Sequence, residues 1–148
     1  MEQKIKYTLG KAEKLKSRKA IDQLFAGGKS FSVFPLKVIY KLNSKESSGS
    51  KTSNIRPQTL NLLAAFSASK RNFKKATERN RVKRLMREAY RLHKNELQDC
   101  LREKQLGMAV FILYTGNELP EYNLIQQKTV VMLKKLLKIV HEEIVIHN

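Results

Sequence analysis

The hydropathy of this chain predicts an α+β fold: a small, mostly antiparallel sheet with three helices packed on it. Two patterns carry that prediction. Apolar residues alternate with a period of two through residues 36–42 and 60–69, whereas from residue 78 to 97, and again beyond Pro120, they recur at helical spacing. The order along the chain is helix, two or three strands, helix, strand, helix. A length of 148 residues suits one domain around one core.

Residues 1–14 mix Lys with polar and apolar groups without a period and read as a flexible basic arm, leaving residues 15–148 as the domain. Leu15, Ile21, Leu24 and Phe25 share a helical face, and Gly27 and Gly28 supply residues able to take positive φ, so the first helix ends there. In KSFSVFPLKVIYKL, Leu36, Val38, Tyr40 and Leu42 alternate with Lys37, Ile39 and Lys41, the pattern of a half-buried strand. Pro35 confines the residues just before it to an edge or a bulge. Residues 43–59, NSKESSGSKTSNIRPQT, have almost nothing to bury and read as a long flexible loop. LNLLAAFSAS then resumes the alternation, with Leu60, Leu62, Ala64, Phe66 and Ala68 on one face. A helix follows over residues 78–97. Gly107 precedes MAVFILY, whose β-branched and aromatic content predicts a buried strand. Pro120 introduces a long last helix, with Leu124, Val131, Leu136, Val140 and Ile144 near helical spacing.

The charge narrows the partner. Thirty Lys and Arg against 13 Asp and Glu give a formal +17, which favours a polyanion: nucleic acid first, an anionic membrane surface second. No apolar run approaches the roughly 20 residues of a membrane span, and the N-terminus has no signal-peptide pattern, so a cytoplasmic protein without membrane attachment is expected. Cys100 is the single cysteine and has no internal disulfide partner. No Ser/His/Asp set, carboxylate pair or metal-ligand spacing is present, His93 lies on an apolar stripe, and His141 and His147 have no partner motif.

The densest charge lies in TERNRVKRLMREAYR, residues 77–91, where Arg79, Arg81, Lys83, Arg84, Arg87 and Arg91 face only Glu78 and Glu88. On a helical wheel Val82, Leu85, Met86, Ala89 and His93 form an apolar stripe, with Tyr90 at its boundary. Asn80, Arg84, Arg87, Arg91 and Lys94 form a ridge opposite. Mixed charge on such a ridge would be a solvated face, but these signs are not mixed, and like charges four apart destabilise a helix by a few tenths of a kcal/mol. A phosphate array removes that repulsion. Arginine's planar fork suits RNA as well as DNA, and Asn80 adds a neutral donor near the free N–H groups of the helix start. Lys70, Arg71, Lys74 and Lys75 extend the basic run at that end. From Lys70 to Lys94, 11 basic residues face two acidic ones, a net +9.

SASKR at the end of a strand, followed by ERNRVKRLMREAYR, resembles the RNR signature of the bacterial ribonuclease P protein component. The likeness extends through IDQLFAGGKSF before it and MAVFILY after it, covering the chain from about Leu15 onward. The resemblance implies an α+β fold with a left-handed βαβ crossover. It implies a subunit that binds a large catalytic RNA and assists removal of the 5′ leader from precursor tRNA, with the RNA carrying the chemistry and its magnesium ions. The protein then binds no cofactor of its own and works as a monomer or 1:1 with the ribonuclease P RNA. Arg79, Asn80, Arg81, Lys83, Arg84 and Arg87 match the signature and should contact that RNA. Lys70, Arg71, Lys74, Lys75 and Arg91 extend the basic surface, and Ser67 and Ser69, which match the preceding strand end, are candidates to bind the leader. The family's leader cleft, between first helix and sheet, makes Phe25, Phe31 and Tyr40 candidates to stack on leader bases. Phe25 is equally a candidate core residue. A ribosomal RNA-binding protein would share the charge and fold class without the cleft. A DNA-binding regulator would read the major groove with the basic helix, although no heptad supports dimeric docking.

Overall fold

The computed structural model describes residues 14, 15, 17–44 and 62–146. Residues 1–13 of the predicted arm, most of the loop over 43–59, Leu60 and His147 therefore lie outside the described residues. Helix α1 (Arg18–Gly27) leads into strands β1 (Lys29–Val33), β2 (Leu36–Ser44) and β3 (Leu62–Ala68). Helices α2 (Ala76–His93) and α3 (Asn95–Glu103), strand β4 (Leu106–Tyr114) and helix α4 (Tyr122–Ile146) complete the order.

One four-stranded sheet runs β1-β2-β4-β3. The β1–β2 and β2–β4 pairs are antiparallel, in register at Phe31↔Val38 and Val38↔Ile112. The β3–β4 pair is parallel, Leu62 opposite Met108, so α2 and α3 form the crossover between those strands. The strand alternation sorts side chains cleanly. Leu36, Val38, Leu62, Ala64, Ala68, Met108, Val110, Ile112 and Tyr114 enter the core with Val82, Met86, Ala89 and Tyr90 of α2 and Ile125, Met132, Leu136 and Val140 of α4. Burial of each Val, Leu, Ile or Met among them stabilises the fold by roughly 1.5–3 kcal/mol before entropy is counted.

The other face carries Lys37, Ile39 and Lys41 of β2, Ala109, Phe111 and Leu113 of β4, and Leu63, Ala65 and Ser67 of β3, none of them in that core. Helix α1 packs against this second face, burying Leu24. Ser17 caps α1, its hydroxyl accepting from the Ala20 N–H at 3.3 Å. Neither glycine ending α1 takes positive φ, and only Gly28 is required for space. Gly28 is extended (φ −84°, ψ 161°), and a Cβ on it would lie 2.4 Å from the Leu24 carbonyl oxygen.

Several elements differ from the sequence reading. Four helices are present among the described residues, because the predicted helix over residues 78–97 breaks at Lys94. The break re-aims the chain so that Leu97, Cys100 and Leu101 of α3 are buried, and α3 packs on β4 and α4. Leu15 precedes α1 and donates its N–H to Ala64 O at 2.9 Å, extending the sheet beyond β3 together with a parallel bridge at Lys14. On α4 the buried positions are Ile125, Thr129, Met132, Leu133, Leu136 and Val140. Leu124 and Val131 are 39% and 42% exposed, the expected stripe having been phased one residue early at that end. Ile144 belongs to the last turn, whose side chains lie outside the described residues.

Candidate nucleic-acid interface

Helix α2 divides its sequence between two environments. Val82, Met86, Ala89 and Tyr90 are buried, Tyr90 at 1% exposure with its ring 5.3 Å edge-on to Phe66. The phenol predicted at the boundary is thus core. On the outer side Asn80, Arg81, Arg84 and Arg87 are exposed, while Lys83 is half-buried. The outer ridge ends sooner than the wheel suggested, since Lys94 is 1% exposed at the α2–α3 junction.

Not every arginine of the ridge is equally placed to meet a phosphate. The Arg91 guanidinium donates Nη2 to Glu88 Oε1 at 2.6 Å and Nε to Oε2 at 3.1 Å, a two-point clasp. That hydrogen bonding holds the Glu88 carboxyl below the usual carboxylate range and raises the Arg91 guanidinium further. Arg79 turns back instead of outward, donating Nη1 to Phe73 O at 2.7 Å and to Lys74 O at 3.0 Å. Arg84 and Arg87 meet Lys14, which the sheet-edge bridge brings alongside, in a recess also lined by Glu88 and Arg91. Lys14 is a basic contributor that the sequence reading left in the arm. Its position depends on pairing with Ala64, fifty residues away, which no local signal announces.

The turn between β3 and α2 completes the basic surface. Lys70, Arg71, Lys74 and Lys75 are all exposed there. The Ser69 hydroxyl accepts from the Arg71 N–H at 3.1 Å and the Phe73 N–H closes on Ser69 O at 2.9 Å. Ser69 therefore shapes the turn. Helix α2 begins at Ala76, two residues earlier than the spacing predicts, with Lys75 at the cap position and no side-chain cap. The unbonded amides of its first turn lie beside Lys74 and Lys75 and one turn before Asn80, adding partial positive charge to the same end.

The proposed stacking residues separate onto opposite faces. Phe25 is 51% exposed, with its ring centroid 4.9 Å from that of Phe111 on the second sheet face. Phe25 is thus a surface aromatic and not core, and Ser67 shares its side of the sheet. Phe31 and Tyr40 lie on the helical face, 5.8 Å apart, packed against the core, with Lys135 Nζ 5.7 Å from the Phe31 ring. The structure does not bring those two together with Phe25. The residue missed is Phe111, whose place was legible from the alternation within MAVFILY: it is out of phase with Val110 and Ile112.

The family model for Ribonuclease P matches residues 9–137. This chain belongs to the ribonuclease P protein family. Ribonuclease P protein component of Porphyromonas gingivalis is 37% identical over 133 residues, covering 90% of this chain and 87% of that relative. The protein component of Chlorobium phaeobacteroides is 32% identical over 128 residues, covering 82% of each. Among solved structures, ribonuclease P protein of Staphylococcus aureus superposes with a TM-score of 0.59 at 22% identity, covering 87% of this chain and 95% of that one. The Thermotoga maritima protein gives a TM-score of 0.59 at 19% identity, covering 83% and 96%. These two share the fold. Family membership makes the chain a protein component of ribonuclease P, the subunit of an endoribonuclease. Among the described residues of this ribonuclease P protein, no helix is long and apolar enough to cross a membrane, and no three His, Cys, Asp or Glu side chains gather at one point.

Proposed function

We propose that this protein binds the catalytic RNA of ribonuclease P through the outer side of α2 and the turn before it, and holds the 5′ leader of precursor tRNA on the second sheet face. The carrying observation is the row of exposed Arg81, Arg84 and Arg87 beside Lys14 on a helix whose opposite side is sealed into the core. Charge gathered there binds phosphate without sequence preference. The second face offers Phe25 and Phe111 to unpaired bases, with Lys37 and Lys41 exposed beside them and Ser67 near the strand end. Stacking contributes roughly 1–3 kcal/mol per base and tolerates any sequence, as a subunit serving many precursors requires.

The magnesium ions of the reaction are, in this reading, held by the catalytic RNA, and the protein contributes phosphate and base contacts. In this reading the protein acts in the cytoplasm, one copy per RNA, and its contribution to cleavage is positioning of the precursor. Reconstitution with a bacterial ribonuclease P RNA tests it: the protein should restore accurate 5′ processing of precursor tRNA at magnesium concentrations where the RNA alone is nearly inactive. No gain in processing would refute it.

A further inference from the structure

The first arginine of the RNR signature, Arg79, is half-buried and folds back onto the turn that precedes its helix. Arg79 Nη1 directs both of its hydrogens to the carbonyls of Phe73 and Lys74, at 2.7 and 3.0 Å. Those two residues lie in the turn that carries Lys70, Arg71, Lys74 and Lys75. A second tether reaches the same turn from the sheet: Asn72 Nδ2 donates to Thr115 O and Gly116 O, each at 3.1 Å. Between the tethers Phe73 is 3% exposed, its ring 5.8 Å from that of Tyr114. Tyr114 is fixed in turn by its hydroxyl, which donates to Glu118 O at 2.8 Å. Gly116 leaves room for that phenol, since a Cβ there would lie 2.6 Å from the Tyr114 hydroxyl oxygen.

We propose that Arg79, together with Asn72, is a positioning residue: it holds four exposed basic side chains of the β3–α2 turn in one arrangement that fits a phosphate array, rather than touching that array itself. The proposal rests on the RNA-binding role above and deepens it. Four like charges within a short turn repel one another, and a turn left to itself would splay them. Ordering that turn before the RNA arrives removes part of the entropy cost of binding. Carbonyl oxygens are the right acceptors for this purpose, because they engage the guanidinium without cancelling its charge.

The test has two arms. In the free full-length protein, amide hydrogen exchange at Phe73, whose N–H bonds Ser69 O, should be about fivefold or more faster in Arg79→Met, with Met86 and Ala89 in α2 unchanged. In binding to ribonuclease P RNA, Arg79→Met and the uncharged exchange Asn72→Ala should each weaken affinity about fivefold or more. The Arg79→Met effect should then shrink once Lys74 and Lys75 are both Ala, leaving only the part that acts through Lys70 and Arg71. Unchanged exchange at Phe73, unchanged binding by Asn72→Ala, or full additivity of Arg79→Met with the lysine changes would each overturn the proposal, the last by revealing a direct contact. If Arg79→Met does not fold, Arg79→Lys serves. It keeps the charge but loses the reach to both carbonyls, so exchange and affinity should shift in the same direction, and no shift in either would overturn the proposal. A wild-type protein that fails to bind the RNA at all would refute the proposed function, whereas the exchange measurement addresses the turn without RNA.

Discussion

At the scale of single residues, the basic side chains of α2 carry unequal roles despite similar spacing. Arg84 and Arg87 are exposed beside Lys14, so Arg84→Ala or Arg87→Ala should weaken RNA binding and lower the slope of log K against log salt by about 0.7–0.9 for each phosphate that is no longer neutralised. Titrations at several salt concentrations check this, and an unchanged slope would place those side chains away from the RNA. Glu88 opposes the ridge by clasping Arg91. Glu88→Gln should therefore tighten RNA binding a few fold and steepen its salt dependence, while Arg91→Ala costs less than Arg84→Ala. The lowered Glu88 carboxyl favours the fold above the ordinary carboxylate range, and that contribution disappears as pH falls through the folded value. The exposed pair makes it small, so Glu88 should give binding no pH dependence near neutrality. Cys100 is buried, and burial pushes its thiol up, so alkylation of the native protein should be much slower than after unfolding. A rate equal to that of the unfolded chain would contradict its placement.

At the scale of elements, α2 separates stability from binding. Met86→Ala should cost about 2–5 kcal/mol in chemical denaturation, because Met86 is fully buried between sheet and α4, yet leave the salt slope of RNA binding unchanged where the variant is folded. Much of the fold was legible because period-two and period-3.6 patterns are set by each element's own geometry: β2, β3 and β4 stand where alternation puts them, and α2 and α4 occur where helical spacing announces a helix. What was not legible depends on tertiary partners. The break at Lys94 has no Gly or Pro to announce it and exists to seat Leu97, Cys100 and Leu101. The phase of α4 was misjudged because apolar residues occur all around it, Leu124 and Val131 included, so that several stripes compete until the sheet selects Ile125, Met132 and Leu136. Within the site, the basic positions were legible by type but not by direction. Arg79 and Arg91 look identical to Arg84 in sequence, and only the carbonyls of Phe73 and Lys74 and the carboxylate of Glu88 distinguish them. Phe31 and Tyr40 were mistaken for neighbours of Phe25 because β1's pairing with β2, which turns both toward α4, is not local information.

At the scale of the whole molecule, the sheet has one face closed by α2 and α4 and another only partly covered by α1, and the basic surface of α2 adjoins the outer edge of β3. In the proposed reading that arrangement gives the protein two binding surfaces of different character: charge for phosphates on the helix, aromatic and apolar groups for bases on the sheet. A net charge of +17 serves both through long-range attraction and makes both salt-sensitive. The division of labour between them is the central claim, and the affinity of the reconstituted complex for precursor tRNA relative to mature tRNA tests it most directly. Phe25→Ala and Phe111→Ala should lower affinity for the leader-bearing precursor about fivefold or more while leaving mature tRNA and assembly with the catalytic RNA unchanged. Equal losses for precursor and mature tRNA would contradict the account.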